Sequence, residues 1–365
     1  MLISAGGTGG HIFPAIATAN KIKEIHPDVE FLFVGAEGKM EMQKVPAAGY
    51  PIIGLPVMGF PRKPSLKLFK FIGALYKSMK RAQRIVRDFA PDVAAGFGGY
   101  ASGPVLRVAA KRKIPFVIQE QNSYAGLTNR MLAKKANAIC VAYDGMSKFF
   151  PAEKIVFTGN PVRATLFADM VERKKACIAL GLDARRPVVF VTGGSLGARS
   201  VNDVVLANAK YFENNGVQLL WQCGSLYFKE LTNKLGFQVS ESIHLTKFVD
   251  NMDYAYAAAD VVVARAGAST ISELSIVGKP TILIPSPNVA EDHQTHNAKA
   301  LADKGAAILL PDSEAHDELI PYIDKMLNNN DMTRQMSEKI KTLARANADT
   351  MIANEILKLV KIHGA

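Results

Sequence analysis

The chain has 365 residues, 48% of them apolar and 21% charged. That composition excludes disorder, a coiled coil and a disulfide-stapled miniature, and the length is too great for a single hydrophobic core. The three cysteines, Cys140, Cys177 and Cys223, form no C-x-x-C and read as reduced thiols, with no zinc ribbon or redox pair. The net charge of +11 is unevenly spread: residues 1–160 hold 22 Lys and Arg against 10 Asp and Glu, whereas the remainder holds 22 against 23. Such asymmetry points to an acidic partner met by the first half, whether nucleic acid, a phosphorylated substrate or an anionic membrane.

Residues 1–20 carry no charge, yet they lack a positive n-region, and Gly6, Gly7, Gly9, Gly10 and Pro14 interrupt the apolar stretch, which excludes a signal peptide. No apolar run reaches the roughly 18 residues of a membrane span, so the chain is expected in the cytosol. Beyond this point, short apolar runs alternate with amphipathic stretches, the pattern of strand–helix–strand units on a parallel sheet. Strands are predicted at 2–5, 30–34, 93–96, 116–119, 138–141 and 155–158, then at 188–192, 218–222, 243–246, 261–264, 281–285 and 307–310. Helices are predicted between them, among others at 15–25, 201–214, 269–277 and 295–304, and a last charged helix at 349–362. The turn Gly159-Asn160-Pro161 marks the boundary between two Rossmann-like α/β halves.

The two halves echo each other. Gly6-Gly7-Thr8-Gly9-Gly10 follows the first predicted strand, and Gly193-Gly194-Ser195-Leu196-Gly197 follows the first strand of the second half. A glycine-rich strand-to-helix turn exposes backbone N–H groups and the positive end of a helix dipole, which suits a phosphate. Neither loop has the spacing of a dinucleotide fingerprint or the lysine of a P-loop. One such loop is as often a packing turn as a ligand site; two matched loops favour a ligand. His11 closes the first loop, where the helix N-terminus disfavours an imidazolium and leaves a neutral ring able to accept a proton. In the second half Glu273 stands one turn into the helix after Arg265-Ala266-Gly267, placed to accept hydrogen bonds from a ribose diol. His293 and His296 share a helix face, but a third ligand and a D-x-D triplet are both missing, so no metal is expected there.

Between residues 59 and 88 nine basic side chains meet no acidic one, and Leu66, Phe69, Ile72, Leu75, Tyr76 and Met79 are interleaved with Lys67, Lys70, Lys77, Lys80, Arg81 and Arg84. A basic amphipathic segment of this kind suits an anionic membrane surface. No RNA- or DNA-binding motif accompanies it, and a core helix with a solvated basic face is the plainer reading for part of it.

Taken in order, GGTGGH (6–11), GGYASGP (98–104), EQNSYAGLTN (120–129), GNPVR (159–163), GGSLGAR (193–199), FVDNM (248–252), ARAGASTISE (264–273) and DHQTHNA (292–298) resemble the MurG family of bacterial peptidoglycan glycosyltransferases, from residue 2 to the final helix. Each motif is weak alone; the ordered set is specific. The resemblance implies a GT-B architecture, two Rossmann-like parallel-sheet domains facing a cleft, with residues 1–161 as acceptor and membrane-docking domain, 162–343 as UDP-GlcNAc domain, and 344–365 returning to the first. It implies transfer of GlcNAc from UDP-GlcNAc to the lipid-linked MurNAc-pentapeptide called lipid I, at the cytoplasmic face of the cell membrane, without cofactor, metal or nucleic acid.

By the same resemblance, Glu273 would bind the ribose, Ser195 and Arg163 the diphosphate, Gln294 the sugar hydroxyls and the Val249 backbone the uracil. Thr8, Gly9, Gly10, Asn122, Ala268, Ser269 and Thr270 would complete the donor contacts. Gly9, Gly10, His11, Tyr100 and Asn122 would hold the acceptor, with His11 as base. Two positions depart from the family: Gln119 stands where a histidine often precedes the E-Q-N triplet, and His293 where others carry glutamine; neither is given a role. A UDP-GlcNAc 2-epimerase shares the architecture but needs no membrane face, a catalytically silent membrane scaffold would not need His11, Glu273 and Gln294, and an oxidoreductase lacks its fingerprint.

Overall fold

The computed structural model describes residues 1–59, 66–162, 166, 171–236 and 241–361, and among them thirteen strands form two wholly parallel sheets. The first holds β1 (Leu2–Ser4), β2 (Leu32–Ala36), β3 (Ile52–Leu55), β4 (Ala94–Gly96), β5 (Phe116–Glu120), β6 (Ala138–Val141) and β7 (Ile155–Phe157), in the order β3-β2-β1-β4-β5-β6-β7. The second holds β8 (Val188–Thr192), β9 (Gln218–Gln222), β10 (Ile243–Thr246), β11 (Val261–Ala264), β12 (Thr281–Leu283) and β13 (Ile308–Leu309), in the order β10-β9-β8-β11-β12-β13. The chain divides into two compact units, one of Met1–Val162 with Arg345–Ala365 and one of Arg163–Ala344.

In the first unit successive residues of each strand feed opposite faces, because side chains alternate across a strand. Leu2, Val34, Ala94, Phe116, Ile118, Ile139 and Val141 join one core. Ile3, Phe33, Ala95, Val117, Ala138 and Cys140 join the other. Both faces are covered, so the strands read as unbroken apolar runs. The second core is completed from the far end of the chain: Ile352, Ala353 and Ile356 of the helix Ala348–Lys361 pack with Ile12, Ala15, Ala19 and Ile22 of the helix Gly9–Ile25. Small residues at 15, 19 and 353 let the two helices approach.

Three expectations shift. β3 had not been foreseen: it is a short edge strand between Pro51 and Pro56, and Gly54 breaks its apolar pattern. A Cβ there would lie 2.6 Å from Cγ of Glu37, so that side chain would have to shift to admit one. The strand expected at 30–34 runs instead from Leu32 to Ala36, with Leu2 opposite Leu32. The single helix expected at 201–214 is two, Arg199–Ala207 and Ala209–Asn214. Asn208 separates them, its side-chain amide donating to the Val204 carbonyl at 2.9 Å, a competition with helical pairing that asparagine favours.

In each sheet the chain winds away from a central strand in both directions, so strand order reverses between β1 and β4 and between β8 and β11. Ligands of such sheets bind outside the carboxyl ends of the strands at these reversal points. Truncating Ile356 to Ala is expected to destabilise the first unit by about 2–5 kcal/mol, the cost of a large-to-small change at a fully buried site, read as a lowered urea midpoint.

Candidate active site

At the first reversal point the loop after β1 meets the loop after β4. Gly7 adopts φ +88°, and the helix begins at Gly9. A Cβ on Gly99, itself at φ +84°, would lie 2.2 Å from the Gly6 carbonyl oxygen, so the two loops touch backbone to backbone. A Cβ on Gly98 would lie 2.8 Å from Cδ2 of His11. The imidazole thus lies against the second loop. Its Nδ1 is 2.9 Å from the Gly6 carbonyl oxygen and 3.3 Å from Oγ1 of Thr8. A carbonyl only accepts, so in the neutral ring Nδ1 carries the proton and Nε2 is the basic nitrogen. Tyr100, on the β4 loop, is exposed, its hydroxyl close above Gly59.

Glu120, at the end of β5, is buried, and burial pushes its carboxyl pKa up, opposed by hydrogen bonds from its neighbours. It accepts from Asn129 Nδ2 at 2.8 Å, Gly126 N at 3.0 Å, and the backbone and side-chain amides of Asn122 at 3.1 and 3.4 Å. The loop carrying Asn122 is therefore folded around one carboxyl group. Beneath it, Gln119 donates to Asn160 Oδ1 at 2.8 Å, Asn160 donates to the Gln121 carbonyl at 3.0 Å, and Gln121 donates both to Gln119 and to the Phe97 carbonyl. Gln119 is thus one link in a buried amide network.

At the second reversal point the glycine-rich loop after β8 repeats the geometry of the first at one position: Gly194 has φ +83° where Gly7 has +88°. The match stops there. The first loop's helix starts within the motif, at Gly9, whereas the second waits until Arg199, with Gly197 at φ +85° between. Ser195 is exposed, and its carbonyl accepts from Ser225 N at 3.2 Å. Across the reversal, the helix Ala268–Val277 follows β11 after Gly267. Its first-turn amides, at Ala268, Ser269 and Thr270, have no helical acceptor and suit an anion. The Ser269 hydroxyl is buried and meets no partner among the described residues. Glu273 is 6% exposed, and its Oε2 accepts from the buried Tyr256 hydroxyl at 2.9 Å.

Two buried side-chain amides, Gln222 and Asn297, organise this second site. Gln222, at the end of β9, donates to Thr192 Oγ1 at 2.9 Å and accepts from Val249 N at 2.8 Å, while Thr192 Oγ1 accepts from Gly194 N at 3.2 Å. One buried amide therefore joins the glycine loop to the Val249 backbone. The Val249 N–H is thus held by Gln222. Asn297, buried, donates to the Ala266 carbonyl at 3.3 Å and ties the helix His293–Ala302 to the β11 loop. On that helix Gln294 accepts from Ser286 N at 2.8 Å. Arg265 is a clamp: its guanidinium donates to the Ile284 and Pro285 carbonyls, Asp312 and Ser200. Among the described residues no three His, Cys, Asp or Glu side chains gather as a metal-ligand set. Arg163 lies outside the described residues.

The basic segment forms the helix Leu66–Phe89, and its two halves differ. Ala82, Ile85 and Val86 are buried in the core, and Ser78 Oγ donates to the Pro56 carbonyl at 3.0 Å. Upstream, Phe69 is 73% exposed, Ile72 54%, Leu75 42% and Tyr76 69%, with Lys70, Lys77 and Lys80 exposed among them. Arg84 is exposed farther along, and Arg81 is paired with Glu37. The side chains of Leu66 and Lys67, and all of residues 60–65, lie outside what is described. Among the described residues no helix is long and apolar enough to cross a membrane.

Comparison with known proteins agrees with this two-unit fold. Residues 1–141 match the glycosyltransferase family 28 N-terminal domain and residues 188–352 its C-terminal domain. The chain is 49% identical over 360 residues, 99% of its own length and 98% of the relative's, to the UDP-N-acetylglucosamine–N-acetylmuramyl-(pentapeptide) pyrophosphoryl-undecaprenol N-acetylglucosamine transferase of Parabacteroides distasonis. The crystal structure of Acinetobacter baumannii MurG superposes with a TM-score of 0.78 at 29% identity, covering 98% of this chain and 99% of that one. A putative UDP-N-acetylglucosamine 2-epimerase from Listeria monocytogenes shares the fold, with a TM-score of 0.68 at 15% identity over 99% and 96% of the two chains. The two parallel-sheet units are those of a GT-B glycosyltransferase. The chain belongs to glycosyltransferase family 28, in the MurG branch that its full-length relatives represent.

The Arg265–Asp312 clamp yields a direct test. Asp312→Ala leaves a largely buried guanidinium without its counter-charge and is expected to cost about 3 kcal/mol of unfolding free energy, measured by urea denaturation.

Proposed function

We propose that this chain transfers GlcNAc from UDP-GlcNAc to the 4-hydroxyl of MurNAc in undecaprenyl-pyrophosphoryl-MurNAc-pentapeptide, converting lipid I to the β-1,4-linked lipid II. The observation that carries the reading is likeness over the whole length, at 49% identity, to a transferase named for that donor and acceptor. An epimerase is favoured by fold alone.

The second unit takes the donor. Glu273, held by Tyr256, receives the ribose hydroxyls; the first-turn amides at Ala268, Ser269 and Thr270, the loop at Ser195 and Arg163 receive the diphosphate. The Val249 backbone, set by Gln222, meets the uracil. Gln294, whose carbonyl oxygen is used by Ser286, turns the donor end of its amide to the sugar. The first unit takes the acceptor, with its pyrophosphate at Gly9 and Gly10 and its sugar near Tyr100 and Asn122. Thr8, Gly9, Gly10 and Asn122 also border the donor sugar.

Chemistry follows from these roles. The acceptor 4-hydroxyl attacks the anomeric carbon from the face opposite UDP, so configuration inverts. The hydroxyl proton passes to His11 Nε2, the nitrogen left basic by the Gly6 contact, and the electron pair of the breaking bond leaves with UDP. Such a base contributes about 10²–10⁴-fold. Arg163 and the loop amides offset the charge growing on the diphosphate without a metal. The exposed Phe69, Ile72, Leu75 and Tyr76, ringed by lysines, dock the first unit on the anionic inner leaflet at the cytoplasmic side, where lipid I is presented.

Three measurements test these assignments. Labelled UDP-GlcNAc with a lipid I analogue and EDTA should give labelled lipid and free UDP; conversion to UDP-N-acetylmannosamine instead would identify the epimerase. Gln222→Leu, similar in size but unable to bond, should weaken UDP binding about tenfold, equivalent to about 1.4 kcal/mol, by calorimetry. Reversing Lys70, Lys77 and Lys80 to Glu should lower partitioning onto phosphatidylglycerol vesicles by about 100-fold or more, at about 1 kcal/mol per lysine lost.

A further inference from the structure

We propose that Glu41 is a positioning residue for the His11 site: it fastens the glycine loop that fixes which nitrogen of His11 carries the proton. The proposal rests on the reading of His11 as base. Glu41 opens the short helix Glu41–Ala47, away from every motif, and is completely buried. Its Oε1 accepts from two backbone amides at once, Ala36 N at 2.9 Å and Gly7 N at 3.1 Å. The first closes β2; the second lies in the loop after β1. One oxygen therefore bridges the ends of adjacent strands.

The surrounding sequence is shaped around this side chain. A Cβ on Gly6 would lie 2.3 Å from Oε1, and a Cβ on Gly35 would lie 2.5 Å from Cγ. Neither glycine has positive φ. Both positions are small because the carboxyl group occupies the space a side chain would need. Its other oxygen, Oε2, is buried and meets no donor among the described residues. A buried carboxyl group with one oxygen unserved is costly, and an apolar side chain of similar volume would fill the same space more cheaply. What an apolar side chain could not supply is the bridge to Gly7. The Gly6 carbonyl, the other half of the same planar peptide group, is the acceptor of His11 Nδ1. Fixing Gly7 N fixes the direction of that carbonyl, and hence Nε2 as the basic nitrogen.

The test uses the full-length enzyme with histidine labelled in both ring nitrogens. In the wild type, ¹⁵N spectra should show His11 protonated at Nδ1 in its neutral form. Hydrogen exchange should show the Gly7 amide protected although its loop is exposed. In Glu41→Leu, His11 should become a mixture of tautomers, and kcat should fall about 100-fold while affinity for UDP, which the second unit holds, stays within about twofold. Glu41→Gln retains an acceptor oxygen and should keep the wild-type tautomer. An unchanged His11 tautomer in Glu41→Leu, whatever the activity, would overturn the proposal. If that variant does not fold, a Gly7 amide in the wild type exchanging as fast as its exposed neighbours would overturn it. A shifted tautomer with normal turnover would instead uphold the positioning and remove His11 as base.

Discussion

Two strand ends in the first unit approach so closely that only glycine fits between them, and the placement of His11 is set by that contact. With Gly99 against the Gly6 carbonyl and Gly98 against the His11 ring, the imidazole has its Cδ2–Nε2 side against backbone and its Nδ1 paired with a carbonyl. Any side chain at 98 or 99 would have to adopt a left-handed backbone and also displace an atom of the site. The second unit uses the same device at a different place. A Cβ on Gly197 would lie 2.0 Å from the Cys223 carbonyl oxygen, and one on Gly224 would lie 2.1 Å from Gly197 N, so its glycine loop leans on the end of β9. The sites thus rest on backbone contacts that side-chain chemistry then decorates.

Buried amides and carboxyl groups hold these loops in shape. Glu120 gathers the Asn122 loop, Gln222 joins Thr192 to Val249, and the Gln119–Asn160–Gln121 chain supports the floor beside Phe97. Each is buried, so each interaction is strengthened by low dielectric and each failure is expensive. The excess positive charge of the first half lies partly along the Leu66–Phe89 helix, whose upstream half leaves four large apolar side chains exposed. A segment of that character is costly in water and useful at a lipid headgroup region.

Much of this was legible in the residues alone. Apolar runs bounded by glycine located twelve of the strands, and the paired glycine loops, His11 and Glu273 lay where parallel sheets put ligands. β3 was hidden because an edge strand with an internal glycine has neither alternation nor length. Glu41 was hidden for a different reason: Glu41-Met42-Gln43-Lys44 reads as an exposed helix turn, and only the tertiary fold places its first residue under the loop of Gly6. Gln222, inside Trp221-Gln222-Cys223-Gly224, likewise shows no spacing signal. Motifs name residues that meet ligands, whereas those that hold the loops are defined by contacts distant in sequence. The break at Asn208 belongs to a third kind, a local side-chain bond that overrides helical periodicity.

The most direct measurement is turnover of His11→Gln with UDP-GlcNAc and a lipid I analogue both saturating, alongside calorimetric binding of UDP. A fall in kcat of about 10²–10⁴-fold with UDP affinity unchanged is expected if Nε2 takes the acceptor proton. Turnover within about threefold of wild type would mean that His11 is not the base, and would contradict the role assigned to the loop contact at residues 6, 98 and 99.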